Sequence, residues 1–302
     1  MRMRKVLSFV LLIVSVSGIA ISAVQITPYI VEEVQSALLY AQLAALHSEE
    51  GSGTDFIDDM MLDSPVQITT VPDGTYMENG EDGADGSEDD AYGDSADGDE
   101  SDDDSPGDQE QTTSHAGLAA LHQKNPDCVA WLTIPGTVID YPVMYRPNQK
   151  DYYLHRDFNG KRASAGTLYI SEICDPYNSD NVIIYGHHMS SGKMFAALDK
   201  YKKKSFYESH KRITFETLYG TATYEVLFAF TTPVYTKNDF QYYAFSKARS
   251  AAEFDAFLSA CRSRALYNTG VSASYGDKLL TLSTCEYSQK NGRMVVVAKK
   301  IS

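Results

Sequence analysis

From Ser48 to Ser114 the chain contains no lysine or arginine and is dominated by Gly, Asp, Glu and Ser. Hydrophobic periodicity is lost across it. Such a stretch cannot bury enough apolar surface to offset the entropy of ordering it, so residues 48–115 read as an acidic disordered linker. As a free coil its ends would lie about 45 Å apart, and self-repulsion would stretch it further. A globular fold must therefore come mainly from residues 116–302, which are long enough for one sizeable core. The Asp-rich runs raise the possibility of calcium, but they lack the spacing of acidic ligands that ends in a glutamate in an EF-hand loop.

Charge divides at the same place. The whole chain carries −15, yet residues 1–115 hold three Lys/Arg against 25 Asp/Glu, leaving 23 against 16 beyond them. The domain is thus about +7. A basic domain suits anionic polymers or lipid headgroups, and nucleic acid is disfavoured as a partner by the export signal at the N-terminus.

Ahead of the linker, residues 1–5 form a basic tip and Val6 to Val24 is a run of nineteen uncharged residues. At about 1.5 Å per residue the run makes a helix of roughly 28 Å, close to the hydrocarbon thickness of a bilayer. The tip should remain cytoplasmic, which places the rest of the chain outside the cell as a single-pass membrane protein. A cleaved signal peptide is the rival reading, since Ala20-Ile-Ser22 offers small residues for processing. Thr27-Pro28 then starts a membrane-proximal amphipathic helix over 25–47, with Ile30, Val34 and Leu38 at helical spacing. Its Leu43-Ala-Ala-Leu-His47 recurs beyond the linker as Leu118-Ala-Ala-Leu-His122.

Within the domain, short β-branched and apolar runs separated by turns predict strands at Val129–Ile134, Ile139–Met144, Gly166–Ile170, Asn181–Tyr185, Arg212–Leu218, Thr221–Phe230, Lys278–Cys285 and Arg293–Ile301. Helices fit best at Met194–Tyr201 and Glu253–Arg264. A mainly β fold with many closely spaced strands and few helices suggests a barrel.

Two of these strands carry chemistry. Lys278-Leu-Leu-Thr-Leu-Ser-Thr-Cys285 and the run from Arg293 read as antiparallel strands joined by a loop containing Asn291-Gly292, which sets Arg293 near the Cys285 thiol. A guanidinium there favours the thiolate, the nucleophilic form. Asn181-Val-Ile-Ile-Tyr-Gly-His187-His188 ends another strand on two histidines, and imidazole suits general acid–base work near neutrality. Adjacent strand residues face opposite ways, so only one histidine can readily reach Cys285, and metal binding by the pair is disfavoured. Ser283 shares a face with Cys285 by period two. Each residue also has a bland reading: a packing cysteine, a structural histidine, a solvated strand-end arginine. Of the other cysteines, Cys128 and Cys261 read as packing residues, Cys174 is undecided, and no CxxC pair suggests zinc.

Taken together, Thr281-Leu-Ser-Thr-Cys285 with Arg293, Tyr185-Gly-His187-His188, Asn125-Pro-Asp-Cys-Val-Ala-Trp131, Ile139-Asp-Tyr-Pro142 and Tyr153-Leu-His-Arg-Asp157 resemble the sortase family of cysteine transpeptidases, class B, from about Leu118 onward. The resemblance implies a closed sortase β-barrel with peripheral helices, no cofactor, and a catalytic set of Cys285, His187 and Arg293. It also implies that Ser283, Glu286, Tyr185 and Leu154 line the substrate groove, although core packing explains Tyr185 and Leu154 equally well. The acidic tract then looks like an insertion in a membrane-proximal stalk. The implied reaction cleaves a C-terminal sorting signal of an exported protein through a Cys285 thioester, then transfers the protein to a peptidoglycan precursor or cross-bridge amine. A hydrolase using water, or a noncatalytic wall-binding module, remains open on the residues alone.

Overall fold

The apolar strand runs close on themselves. The computed structural model describes residues 30–48, 109–236 and 240–302, with backbone only for 109–115. Eight strands, β1 (Cys128–Thr133), β2 (Asp140–Met144), β3 (Leu168–Ile170), β4 (Asn181–Tyr185), β5 (Arg212–Thr217), β6 (Gly220–Pro233), β7 (Leu279–Glu286) and β8 (Gly292–Lys300), form a closed barrel ordered β1-β2-β3-β4-β7-β8-β6-β5. Pairing is antiparallel except at β2–β3 and β4–β7. This is the mainly β barrel expected from the strand spacing.

The unbroken run Met294-Val-Val-Val-Ala298 follows from burial on both strand faces. Met294, Val296 and Ala298 join Leu280 and Leu282 in the main core. Val295 and Val297 point the other way, beneath Phe254, Phe257 and Leu258 of a helix at Ala251–Arg262. That helix begins where the Ser250 side chain accepts the Glu253 N–H, which satisfies one of the backbone donors left open at a helix start.

Four α-helices are described: α1 over residues 30–48, α2 (Gln109–Lys124), α3 (Lys204–Ser209) and α4 (Ala251–Arg262). The segment expected as a helix over Met194–Tyr201 is a 3-10 helix at Phe195–Lys202, and α3 follows it in a lysine-rich stretch without helical periodicity. α2 reaches back to Gln109, into the stretch expected to be disordered. The basic tip, the expected membrane span Val6–Val24 and residues 49–108 of the linker lie outside the described residues. Among the described residues no helix is long and apolar enough to cross a membrane.

α1 packs on the barrel. The Tyr40 hydroxyl donates to the Gly166 carbonyl at 2.5 Å and its ring meets Tyr141 edge-on. Leu43 is buried, and the His47 ring stacks on Trp131 at 4.2 Å with Nε2 2.9 Å from the Glu216 carboxylate. The repeated segment in α2 does the same: Leu118 and Leu121 are buried and His122 Nδ1 lies 2.8 Å from the Cys128 carbonyl. The two helices touch where Gly117 meets the His47 backbone, so closely that a Cβ on Gly117 would collide with the His47 carbonyl oxygen. The linker thus leaves and rejoins the chain between two helices that pack on one barrel.

Candidate active site

Strand register decides which residues meet. Cys285 stands opposite Arg293 across β7 and β8, and Ser283 stands opposite Val295. On the other edge of β7 the parallel strand β4 places Tyr185 opposite Ser283. The end of β4 therefore delivers Gly186 and His187 beside the end of β7. There the Gly186 N–H donates to the Ser283 carbonyl (3.3 Å), and the Thr284 hydroxyl donates to the Gly186 carbonyl (2.8 Å). Glycine is required at 186 by space, since a Cβ would press into the side chains of Leu168 and Phe195.

His187 is oriented by main chain on two sides. Its carbonyl accepts from the Phe195 N–H at 2.9 Å, and its Nε2 lies 2.7 Å from the Leu154 carbonyl. A carbonyl can only accept, so Nε2 carries the proton and Nδ1 holds the lone pair of the neutral ring. Burial pushes the His187 pKa below its ordinary value; the Leu154 carbonyl works against this, and the His155 ring, 5.1 Å away, adds to it. His188 turns elsewhere, with Nδ1 3.1 Å from the Cys285 carbonyl and its ring near Tyr287.

Leu154, Tyr185, His187, Ser283, Cys285 and Arg293 line one cavity of about 510 Å³. Arg293 gives one guanidinium N–H to the Gly292 carbonyl (3.0 Å). Cys285 is partly exposed, whereas Cys128, Cys174 and Cys261 are buried, and all four are free. Burial pushes the Cys128 thiol up to about 12 and the Cys174 thiol to about 11, and raises that of Cys261. Only the thiolate is a competent nucleophile, so those three are poor candidates near neutral pH. Among the described residues no group of three or more His, Cys, Asp or Glu could hold a metal ion.

The structure brings together six of the seven residues singled out in the sequence. Glu286 is not among those lining the cavity; it is buried, with its carboxylate 2.6 Å from Lys202 Nζ and 2.7 Å from the Ser288 hydroxyl. Burial would raise its pKa, but the hydrogen bonds from Lys202 and Ser288 outweigh that and hold it below the ordinary value. Two contributors were missed in the sequence. One is the Leu154 carbonyl, a main-chain atom. The other is Tyr242, buried after β6, whose hydroxyl lies 2.7 Å from Ser283 Oγ at the cavity wall; only the cluster of aromatics from Phe240 to Phe245 marked that segment.

Comparison with known proteins gives this geometry a context. A family model described as the sortase domain matches residues 132–301. The chain is 37% identical over 190 residues to sortase B of Listeria monocytogenes, covering 61% of this chain and 74% of that protein. It is 34% identical over 188 residues to sortase B of Staphylococcus aureus, covering 60% and 73%. Among solved structures, the Staphylococcus aureus sortase B–substrate complex superposes with a TM-score of 0.56 at 32% identity, covering 62% of this chain and 86% of that one.

Proposed function

Since the chain belongs to the sortase family and is a cysteine transpeptidase of the sortase B type, we propose that Cys285, His187 and Arg293 carry out a two-step acyl transfer in its 510 Å³ cleft. Neutral His187 takes the thiol proton at Nδ1 as Cys285 attacks a peptide carbonyl in a C-terminal sorting signal. Arg293 donates hydrogen bonds to the oxyanion. The imidazolium then returns its proton to the leaving amine, and a thioester remains on Cys285. An amine of a peptidoglycan precursor or cross-bridge, losing its proton to His187, displaces the thiol and forms the new amide. The proton goes back to sulfur. Splitting one difficult exchange into two through a covalent intermediate is what a cysteine nucleophile offers.

The observation that carries this reading is the cross-strand pairing of Cys285 with Arg293, in a cleft that His187 also lines. Ser283, Tyr185 and Leu154 are the candidates for substrate contact. The uncharged run Val6–Val24 is proposed to anchor the protein in the cell membrane, N-terminus inside and catalytic domain outside. Its partners there are exported proteins bearing sorting signals.

Intact-mass spectrometry tests the proposal. The protein is mixed with a panel of sorting-signal peptides, with and without an amine acceptor. A mass gain on Cys285 equal to the N-terminal peptide fragment, absent from Cys285→Ala and discharged by amine into an amide, is the expected result. An adduct discharged only by water would make the protein a hydrolase.

A further inference from the structure

α1 is amphipathic the wrong way round for a helix whose outer side faces water. Its two acidic residues, Glu32 and Glu33, are turned to the domain, where Glu32 accepts the Ser164 N–H (2.5 Å) and Glu33 pairs with Lys193 (2.7 Å). Tyr40, Leu43 and His47 lie on that inner side as well. The outer side shows Ile30, Val31, Val34 and Leu38, at 57%, 46%, 51% and 59% exposure. At about 100° per residue, Ile30, Val34, Leu38, Ala41 and Ala45 fall within one arc of roughly 80°. From Val34 to Ser48 no residue is charged. Four turns of helix thus present an uncharged and largely apolar ridge outward, edged on one side by the exposed Gln35 and Gln42, while the charges point in. A surface helix normally shows the opposite pattern.

The length of chain ahead of α1 says what covers this ridge. Five residues, Gln25 to Tyr29, separate the end of the uncharged run at Val24 from Ile30, and none is charged. Even fully extended they span no more than about 20 Å. If Val6–Val24 lies in the bilayer, the first turn of α1 cannot leave the neighbourhood of its surface. We propose that the outer face of α1 seats in the lipid interface and, being packed on the barrel, fixes how the catalytic domain stands on the membrane. This inference rests on the anchored reading given above. The ridge has no lysine or arginine, so it is held by apolar insertion rather than by attraction to anionic headgroups, which separates it from basic interfacial helices.

The full-length chain in lipid vesicles tests this. A photoreactive benzoyl-phenylalanine replaces Val34 or Leu38, whose side chains face outward, or Tyr219, an exposed control at 80% on the β5–β6 turn. Proteoliposomes of phosphatidylcholine, with and without phosphatidylglycerol, are irradiated after flotation. The expected result is lipid adducts from positions 34 and 38 in about tenfold excess over position 219, unchanged by phosphatidylglycerol or salt. Flotation without lipid adducts at 34 and 38 would overturn the inference and leave the anchor standing. Cross-linked dimers at those positions would assign the ridge to a second copy of the chain instead. A protein that fails to float would remove the anchored reading, and the inference with it.

Discussion

In the proposed role of Arg293 as oxyanion donor, the planar fork should matter more than the charge. Lysine keeps the positive charge opposite Cys285 but cannot present two parallel donors to an oxyanion. Arg293→Lys is therefore expected to lower kcat/KM by about 10²–10³-fold, the range seen when one oxyanion donor is lost. Near-normal turnover would remove Arg293 from the mechanism. His187 supplies a second test. Its folded pKa is depressed by burial, so the unfolded chain binds the proton at higher pH than the folded one. Its stabilising contribution is whole above the unfolded value of about 6.5 and is lost as pH falls through the lower folded value. Between pH 8 and 5 the melting temperature of the wild-type protein should fall further than that of His187→Gln; parallel profiles would contradict the shift. These residues were legible because strand periodicity and the spacing from Cys285 to Arg293 put them at strand ends. Glu286, expected in the groove, does not line the cavity, in keeping with the same rule: it neighbours Cys285 on a strand and so faces the other way. The hold of the Leu154 carbonyl on His187 was not legible, because main-chain atoms far apart in sequence leave no residue-type signature.

Among the elements, the sharp exit from β4 at Gly186 is the most exposed to change. A methyl group there meets Leu168 and Phe195, so Gly186→Ala must shift either the barrel wall or the segment carrying His187. A misplacement of about 1 Å can cost on the order of 10²-fold in rate. The expected outcome is a fall of that order in thioester formation while the circular dichroism spectrum stays that of the wild type; unchanged kinetics would mean that His187 tolerates the shift. All eight strands were visible as apolar runs bounded by turns, since burial on one or both faces writes itself into sequence. The turn at Phe195–Lys202 was visible as a helix but not as a 3-10 helix, and α3 was not visible, because its short segment Lys204–Ser209 has no apolar stripe; just ahead of it Tyr201 donates its hydroxyl to the His210 carbonyl at 2.7 Å.

For the whole molecule, the meeting of α1 and α2 changes what the acidic tract can be. With His47 against Gly117, the tract is a loop closed at both ends, and a closed loop carries an entropic cost that rises with the logarithm of its length. Replacing residues 52–108 by a six-residue Gly/Ser linker should therefore stabilise the protein by up to about 2 kcal/mol, read by urea unfolding, with thioester formation on peptide unchanged. A loss of stability would mean that the tract contributes packing of its own. Sequence composition identified the tract but not its topology, because the contact that closes it is made by Gly117, beside a repeated Leu118–His122 segment whose spacing says nothing of what it packs against.

The parallel pairing of β4 with β7 joins Asn181 to Leu279, and β8 completes the sheet only at Lys300. Long-range pairings of this kind form late. The candidate nucleophile and its arginine thus lie in the last strands to emerge from the ribosome. Until nearly the whole chain has been delivered, Cys285 has neither Arg293 opposite it nor His187 beside it. A copy truncated before Arg293 would carry the Cys285 thiol without the arginine that β8 sets opposite it, so the site takes shape only once nearly the whole chain is made.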